Sequence, residues 1–357
     1  MRRRNSRQIK VGGIAIGGDA PISIQSMTNT KTSDVEATVA QIRRLEQLGC
    51  EIVRLAVPDI LAAKAISAIK NQVSVPLIAD IHFDYRLALV AIENGADGLR
   101  LNPGNIGSEE EVAAIVRAAK PKGIPIRVGV NAGSLEKQVL EKYGGHPTPE
   151  AMVESALGQV RLLEQMGFSD IKISLKANDV PLMIKAYKLM AAATDYPLHI
   201  GVTEAGPVRT GTIKSAVGIG ALLADGIGDT IRVSLTGSPE EEVVVAKEIL
   251  QTLNLRRFGP VIVSCPTCGR CMINLEKIVA EVEQRLTTVT QPLKVAVMGC
   301  VVNGPGEARE ADVGIAGGNG QGLVFCRGQI VRKVNEDRLV EALFEEIKKL
   351  DQEACLR

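Results

Sequence analysis

Three cysteines have the residue type and spacing to bind a metal centre. Cys265 and Cys268 form a C-x2-C pair, and Cys300 follows in a loop rich in glycine and proline. Thiolates are soft ligands, and they are typical of iron–sulfur clusters and of zinc sites. The pattern therefore predicts a soft-metal centre, and an iron–sulfur cluster there could pass electrons to a bound substrate.

The spacing favours an iron–sulfur cluster over the other soft-metal sites. With Cys271 the run becomes C-x2-C-x2-C, but a bacterial ferredoxin would place a fourth cysteine where Leu275 stands. Radical enzymes that cleave S-adenosylmethionine use a longer first gap, and a structural zinc site would need a second close pair. The candidate ligands are Cys265, Cys268 and Cys300, with either Cys271 or Glu307 as the fourth.

Eight short apolar runs alternate with amphipathic segments between residues 22 and 253. They predict strands at Ile22–Thr28, Ile52–Val57, Leu77–His82, Gly98–Gly104, Ile126–Asn131, Ile171–Ala177, Leu198–Gly206 and Thr230–Gly237. Eight βα units in about 230 residues match the size of a TIM barrel. A doubly wound open sheet is the alternative, but no glycine-rich dinucleotide fingerprint opens the first helix. The expected fold class is α/β, with a (β/α)8 barrel.

A smaller α+β domain is expected after the barrel. A last barrel helix at Pro239–Leu253 is followed by a hinge at residues 254–260. The elements expected beyond it are Val261–Ser264, Ile273–Leu286, Lys294–Met298, Asp312–Ala316, Gly322–Arg327 and Glu336–Leu350. We therefore predict a substrate-binding barrel over residues 1–255 and a cluster-binding domain over residues 256–357.

Polar residues at period two within the apolar barrel strands should point into the barrel, where this fold carries its chemistry. They are Arg54, Asp80, His82, Arg100, Asn102, Arg127, Asn131, Lys172, Ser174, Lys176, Glu204, Arg232 and Ser234. Converging cations need a compensating anion, and arginine binds phosphate oxygens bidentately, so a phosphate or diphosphate ligand is indicated. The alternative is structural ion pairing with Asp80, Asp97 or Glu51, above all for Arg232 and Lys172.

Two residues of the barrel could donate protons. Glu204 is predicted at the end of the seventh strand, where it could protonate a departing oxygen. Pairing with a neighbouring lysine or arginine is its alternative role. His82 is a second candidate donor, with a structural role as the alternative.

Composition narrows the class of protein. The 357 residues carry a formal net charge of +1 and only 3% aromatic residues, with no tryptophan, so we expect neither a nucleic-acid partner nor a membrane-surface partner. No apolar run of signal-peptide length follows the basic residues 1–7, and no stretch has the length and apolar character to span a bilayer, so we expect neither a secretory signal nor a membrane span. An odd number of cysteines, seven, favours reduced thiols over disulfides, and hence the cytoplasm.

Five motifs, spread over nearly the whole chain, resemble those of one family, the 4-hydroxy-3-methylbut-2-enyl diphosphate synthases of isoprenoid precursor synthesis by the methylerythritol phosphate pathway. They are Gln25–Thr30, Ala79–Phe83, Leu101–Gly107, Ser264–Arg270 and Gly299–Glu307. The last two are the most specific of the five. The absence of a large insertion between barrel and cluster domain resembles the two-domain bacterial form.

The resemblance implies an oxidoreductase with a [4Fe–4S] cluster on Cys265, Cys268, Cys300 and Glu307. The substrate would be 2-C-methyl-D-erythritol 2,4-cyclodiphosphate, whose ring is opened and reductively dehydroxylated. Flavodoxin or ferredoxin would supply two electrons. The same resemblance makes Glu204 the active-site carboxylate and implies a homodimer in which each cluster domain caps the partner's barrel. The implied diphosphate-binding residues are Arg54, Arg100, Arg127, Asn131, Lys176 and Ser234.

Two other functions remain as alternatives. One is a transferase resembling dihydropteroate synthase with a structural cluster, which would bind a flat pterin and keep the cluster redox-silent. The other is an iron–sulfur sensor or electron carrier without catalytic activity. An arginine-rich barrel with few aromatic residues argues against both.

Overall fold

The computed structural model describes residues 2–101, 106–300, 306 and 310–355, the side chains of residues 353–355 excepted. Its contacts divide the chain into two compact units, Met1–Arg256 and Arg257–Arg357. Within the described residues, no helix has the length and apolar character needed to cross a membrane.

The first unit is a parallel eight-stranded barrel, which confirms the predicted fold class. Its strands are β3 Ser23–Met27, β4 Ile52–Ala56, β5 Leu77–Asp80, β6 Gly98–Leu101, β7 Ile126–Asn131, β8 Ile171–Lys176, β9 His199–Ile200 and β10 Thr230–Ile231. The order is β8-β7-β6-β5-β4-β3-β10-β9. A parallel bridge between Ile173 and Leu198 brings the two ends of this order together.

Helices connect the barrel strands. They are α1 Val35–Gln47, α2 Ile60–Lys70, α3 Tyr85–Glu93, α4 Glu109–Ala119, α5 Lys137–Lys142, α6 Pro149–Gln165, α7 Val180–Ala193, α8 Val208–Ala224 and α9 Pro239–Thr252. Most begin after an Asp, Ser or Thr whose side chain accepts a first-turn N–H, as Asp59 does from Ala62. At Ser108 the expected capping box with Glu111 is complete.

The seventh and eighth barrel strands are much shorter than predicted. The prediction ran over Leu198–Gly206 and Thr230–Gly237, whereas β9 and β10 have two residues each. Val202 and Val233 lie beyond the ends of β9 and β10, yet they are only 0% and 1% exposed. The apolar alternation in the sequence therefore reflects burial of these residues in the barrel wall and not strand pairing. Consequently, Glu204 and Ser234 lie on loops that follow the strands.

A short amino-terminal hairpin was not predicted. Its strands, β1 Ile9–Val11 and β2 Ile14–Ile16, pair antiparallel. Their apolar side chains pack against Ile52 and Ile78, which stand at the amino-terminal ends of β4 and β5. The hairpin therefore covers the amino-terminal end of the barrel, opposite the end where its chemistry is expected.

The second unit is an α+β domain with a five-stranded mixed sheet. The strands, in spatial order, are β11 Val261–Ser264, β12 Lys294–Met298, β13 Val313–Gly317, β14 Gln321–Cys326 and β15 Gln329–Asn335. β11, β12 and β13 pair in parallel, and β14 pairs antiparallel with both of its neighbours, β13 and β15. Helices α10 Leu275–Leu286 and α11 Leu339–Cys355 pack their apolar residues on this sheet. The unpredicted strand is β15, whose side chains are mostly exposed and lack a clear apolar alternation.

Candidate active site

Adjacent barrel strands bring basic side chains to one level inside the barrel. Strand pairing sets Asp80 beside Arg100, and Arg100 beside Arg127. Four residues beyond Arg127 on β7, Asn131 lies beside Lys176 of β8. Since side chains alternate between the two faces of a strand, these residues share the inner face of the barrel.

These side chains line a cavity of about 240 Å³. Its lining consists of Arg54, Asp80, His82, Arg100, Arg127, Asn131, Ser174, Lys176, Thr203, Arg232 and Ser234. All six residues predicted to bind a diphosphate therefore meet in one place. Asn102, also expected at the mouth, lies outside the described residues.

Asp80 is the acidic residue of the described lining, and it is held by two arginines. Its carboxylate lies 3.5 Å from Arg54 Nε and 3.2 Å from Arg100 Nη1. Burial alone would raise the pKa of Asp80, but the Arg54 charge and the His82 hydrogen bond outweigh it, so the pKa lies well below its usual range. Asp80 therefore stays ionised and offsets part of the positive charge.

Arg127 and Lys176 have no acidic partner in the described structure. Arg127 donates to the Ser174 hydroxyl at 3.3 Å, while its Nε and the Lys176 Nζ have no hydrogen-bond partner there. Burial, followed by repulsion from neighbouring arginines, lowers the pKa of both groups well below the ordinary values. Such groups bind an anion strongly, because it supplies the missing hydrogen bonds and relieves the repulsion.

Arg232 combines the two roles that its sequence position left open. Its Nη2 lies 3.4 Å from the buried carboxylate of Glu242, an ion pair with α9. The residue also lines the cavity. Lys172, the other residue given a structural alternative, is 2% exposed and does not belong to the cavity lining.

Glu204 is exposed and lies outside the set of cavity-lining residues. Its φ of 51° is in the left-handed region, where residues other than glycine are uncommon and strained, a feature that concentrates at functional sites. The preceding residue, Thr203, lines the cavity, and sequence reasoning missed it. The signal was present, because His199, Gly201 and Thr203 continue the period-two pattern of inward positions.

In the second unit, two adjacent parallel strands precede the cysteines that the sequence predicts to bind a metal. β11 pairs with β12 so that Ser264 lies beside Val297. Cys265 therefore follows one strand directly, and Cys300 follows the other after Gly299. The Gly299 N–H donates to Cys265 Sγ at 3.2 Å. An N–H donor of this kind stabilises a thiolate, which is the form that binds metal.

The other two cysteines of the first loop differ from each other. Cys268 is exposed, and the hydrogen bond from the Arg270 backbone lowers the pKa of its thiol. The Cys271 thiol lies 3.3 Å from the Ile273 carbonyl, to which it donates. Glu307, the expected carboxylate ligand, lies outside the described residues. Within the part of the chain that is described, no three His, Cys, Asp or Glu side chains converge closely enough to hold a metal ion.

Two family models match the chain. The first, described as the GcpE TIM-barrel domain, covers residues 6–247, and the second, the GcpE protein C-terminal domain, covers residues 261–349. The chain belongs to the GcpE family. This membership confirms the resemblance seen in the five sequence motifs.

Curated GcpE-family relatives match over almost the full length. The protein from Geobacter sulfurreducens is 63% identical over 98% of each chain, and that from Caldanaerobacter subterraneus is 61% identical over 98% of this chain and 99% of its own. A third relative, from Geobacillus kaustophilus, is 59% identical over 99% of this chain and 94% of its own. All three are named 4-hydroxy-3-methylbut-2-en-1-yl diphosphate synthase (flavodoxin).

Solved structures resemble the GcpE barrel in fold. Dihydropteroate synthase from Stenotrophomonas maltophilia matches with a TM-score of 0.51 and 15% identity, over 70% of this chain and 98% of its own. Type I 3-dehydroquinate dehydratase from Clostridium difficile matches with a TM-score of 0.51 and 14% identity, over 70% of this chain and 97% of its own. At such identities the likeness concerns the barrel fold and carries no support for the transferase alternative.

Proposed function

We propose that this GcpE-family chain is an oxidoreductase that converts 2-C-methyl-D-erythritol 2,4-cyclodiphosphate to (E)-4-hydroxy-3-methylbut-2-enyl diphosphate and water. Two electrons and two protons balance the reaction. The observation that carries the proposal is the cavity at one end of the barrel, where the buried cations Arg127 and Lys176 have no acidic partner among the described residues. The relatives named as synthases of this diphosphate give the same assignment.

The barrel cavity binds the diphosphate in this proposal. Arg127 and Lys176 supply charge that no described carboxylate neutralises, while Arg54 and Arg100 share Asp80. Asn131 and Ser234 add uncharged polar groups that orient the phosphate oxygens. Because these groups are fixed on strands and their adjoining loops, binding places the ring of the substrate at a defined position in the cavity mouth.

A [4Fe–4S] cluster is proposed for the second unit, with Cys265, Cys268, Cys300 and Glu307 as ligands. Neighbouring strand ends, an N–H aimed at Cys265 Sγ and a lowered pKa at Cys268 fit thiolate ligation. The hydrogen bond from Cys271 to a backbone carbonyl supports Glu307 as the fourth ligand. When bound, the cluster supplies electrons, and we propose flavodoxin, named with the relatives, as their source, with ferredoxin as the alternative.

Glu204 is proposed as the carboxyl group that protonates the departing oxygen. The support is its strained backbone beside cavity-lining Thr203. In Glu204→Gln, we expect kcat to fall by about 100-fold or more, because positioned acids contribute that much. Iron content and the visible spectrum should match those of the parent protein. Undiminished turnover in a variant with a full cluster would reject this role.

We further propose that the two units act as substrate-binding and cluster-binding domains of a homodimer in the cytoplasm, each cluster domain serving the partner's barrel. An apolar groove between α8 and α9, with exposed Ile213, Val217 and Val244 beside it, supports self-association. Among the described residues, Cys50, Cys265, Cys268, Cys271 and Cys300 form no disulfide, as expected in a reducing compartment. Full activity of a monomer at high dilution, measured alongside sedimentation, would contradict the dimer.

The proposed reaction is tested by anaerobic turnover. Protein reconstituted with iron and sulfide is mixed with the cyclic diphosphate and a strong reductant, and phosphorus NMR follows the substrate. We expect loss of the cyclic species and growth of a linear diphosphate only when reductant is present. A redox-active cluster without substrate consumption would favour an electron carrier, and a redox-silent cluster would favour the transferase.

A further inference from the structure

Two basic side chains lie inside the barrel beneath the diphosphate cavity. Lys172 precedes the cavity residues Ser174 and Lys176 at period two on β8, and His199 precedes Thr203 in the same way on and after β9. Lys172 is 2% exposed and His199 is 0% exposed. The Lys172 Nζ and both ring nitrogens of His199 have no hydrogen-bond partner among the described residues. Buried polar groups are rarely left in this state, because each costs free energy.

The surroundings of Lys172 disfavour its charged form. Arg127 on the neighbouring strand β7 and Arg54 on β4 face it with positive charge, and His199 lies on β9. Burial, reinforced by the Arg127 charge, lowers the pKa of Lys172 to about 7. The negative charge of Asp229, which precedes β10, acts to raise the pKa of Lys172.

The Asp229 charge compensates Lys172 only in part, and His199 adds no compensating charge. The Asp229 carboxylate already accepts hydrogen bonds from Arg3 and Ser6 at Oδ1 and from the Leu198 N–H at Oδ2. Burial, followed by the Arg127 charge, lowers the pKa of His199 well below its ordinary value, so its ring is neutral. Lys172 therefore lacks an available anion as long as the cavity above it holds none.

We propose that Lys172 is a further determinant of diphosphate binding, and that its buried amine takes up a proton from solvent when the anion enters the cavity. The inference rests on the proposed diphosphate site. Negative charge beside Arg127 opposes the burial and repulsion that disfavour the charged form of Lys172, and the protonated amine then attracts the anion. Lys172 thus carries more of its positive charge when the ligand is present, and it repels the other cations less in the free protein.

The sign of the pH dependence follows from linkage. Above pH 7 the free protein has lost the Lys172 proton and the complex regains it, so binding consumes protons and weakens as pH rises. Each proton taken up per ligand makes Kd rise tenfold per pH unit. Lys176 lines the cavity and can contribute a similar slope, so removing Lys172 should reduce the slope without abolishing it.

The test is calorimetric titration of the holoenzyme with inorganic pyrophosphate at pH 7, 8 and 9, in buffers of different ionisation enthalpy. The parent protein should take up a larger fraction of a proton than Lys172→Met or Lys172→Arg, neither of which can titrate in this range. The exposed-lysine variant Lys188→Met should match the parent. Protons exchanged by pyrophosphate itself cancel in these differences. Thermal unfolding checks folding, and methionine should be tolerated because it removes a buried, unpartnered amine.

The outcomes separate the two proposals. If pyrophosphate fails to bind the parent protein, the proposed diphosphate site is wrong. If it binds, and the two Lys172 variants show the parent's proton uptake and pH slope, the role given to Lys172 is wrong. Reduced uptake and a shallower slope in both variants, with Lys188→Met unchanged, support it.

Discussion

The barrel cavity and the cysteine loops are organised in different ways. The cavity side chains are fixed on strands and their adjoining loops, and most are buried with defined neighbours. The cysteines lie on turns after β11 and β12, where Cys268 is exposed and the expected Glu307 is outside the described residues. Among the described residues, the protein alone gathers cations for an anion but does not gather ligands for a metal. We therefore infer that the proposed diphosphate site is pre-organised, whereas the geometry of the proposed cluster site depends on the cluster itself.

The largest effect is expected from a substitution in the cysteine loops that leaves the barrel cavity unchanged. Cys300→Ser should abolish the visible absorption and the iron content of the anaerobically purified protein, because a buried ligand of the proposed cluster is lost. Pyrophosphate binding to the barrel should be unchanged. The matched control is Cys50→Ala in the barrel, which removes a thiol whose pKa is raised to about 12 by burial and should leave iron content unaltered. Normal iron content in Cys300→Ser would remove Cys300 from the cluster.

The converse change is Arg127→Met, which should weaken the barrel site alone. Hydrogen bonds to charged groups contribute about 1.5–3 kcal/mol, so we expect pyrophosphate affinity to fall by about 10- to 100-fold. Iron content should stay constant, and the melting temperature should hold or rise because a poorly paired buried cation is removed. Calorimetry against Arg161→Met, an exposed arginine on α6, provides the charge-matched control. Equal affinity in the two variants would exclude Arg127 from the diphosphate site.

This contrast also explains which features the sequence could predict. The bounds of β7, β11 and β12 were predicted to the residue, because apolar runs between turn residues identify buried strands well. Period two within the barrel strands also identifies ten of the eleven cavity-lining residues from the sequence. Thr203 was missed, because Glu204, its neighbour in the opposite phase of the predicted strand Leu198–Gly206, was selected as the inward residue there.

Other features depend on tertiary context that residue types do not reveal. The hairpin of β1 and β2 is too short for a periodic signal, and it is stabilised by the ends of β4 and β5. Only coordinates could show that Asp80 is shared by Arg54 and Arg100 while Arg127 and Lys176 are left without a carboxylate. The burial of Lys172 beneath the cavity likewise depends on barrel closure.

Pre-organisation of the barrel can be weakened without removing a charge. A Cβ at Gly201 would lie 2.2 Å from the Arg232 carbonyl oxygen and 2.8 Å from Lys176 Nζ, so strand and lysine must both move. Overpacking of this kind costs about 1–3 kcal/mol, and Gly201→Ala should lower both stability and pyrophosphate affinity. The control is Gly158→Ala on α6, where a Cβ meets nothing within 4 Å and should stabilise the protein slightly. Equal affinities in the two alanine variants would mean that the close fit around Lys176 has no bearing on binding.

The smallest effect is expected at His82, where the cavity meets solvent. Its side chain is 57% exposed, with Nε2 3.6 Å from Asp80 Oδ2. Without His82, Asp80 still pairs with Arg54 and Arg100. Because exposed ion pairs contribute about 1 kcal/mol or less, kcat/KM of His82→Gln should change by less than about fivefold. A general acid would instead contribute about 100-fold or more. A loss of that size in His82→Gln, with iron content and pyrophosphate affinity unchanged, would transfer the proton-donor role from Glu204 to His82. It would place acid catalysis on the pre-organised barrel wall instead of on the strained loop beyond β9.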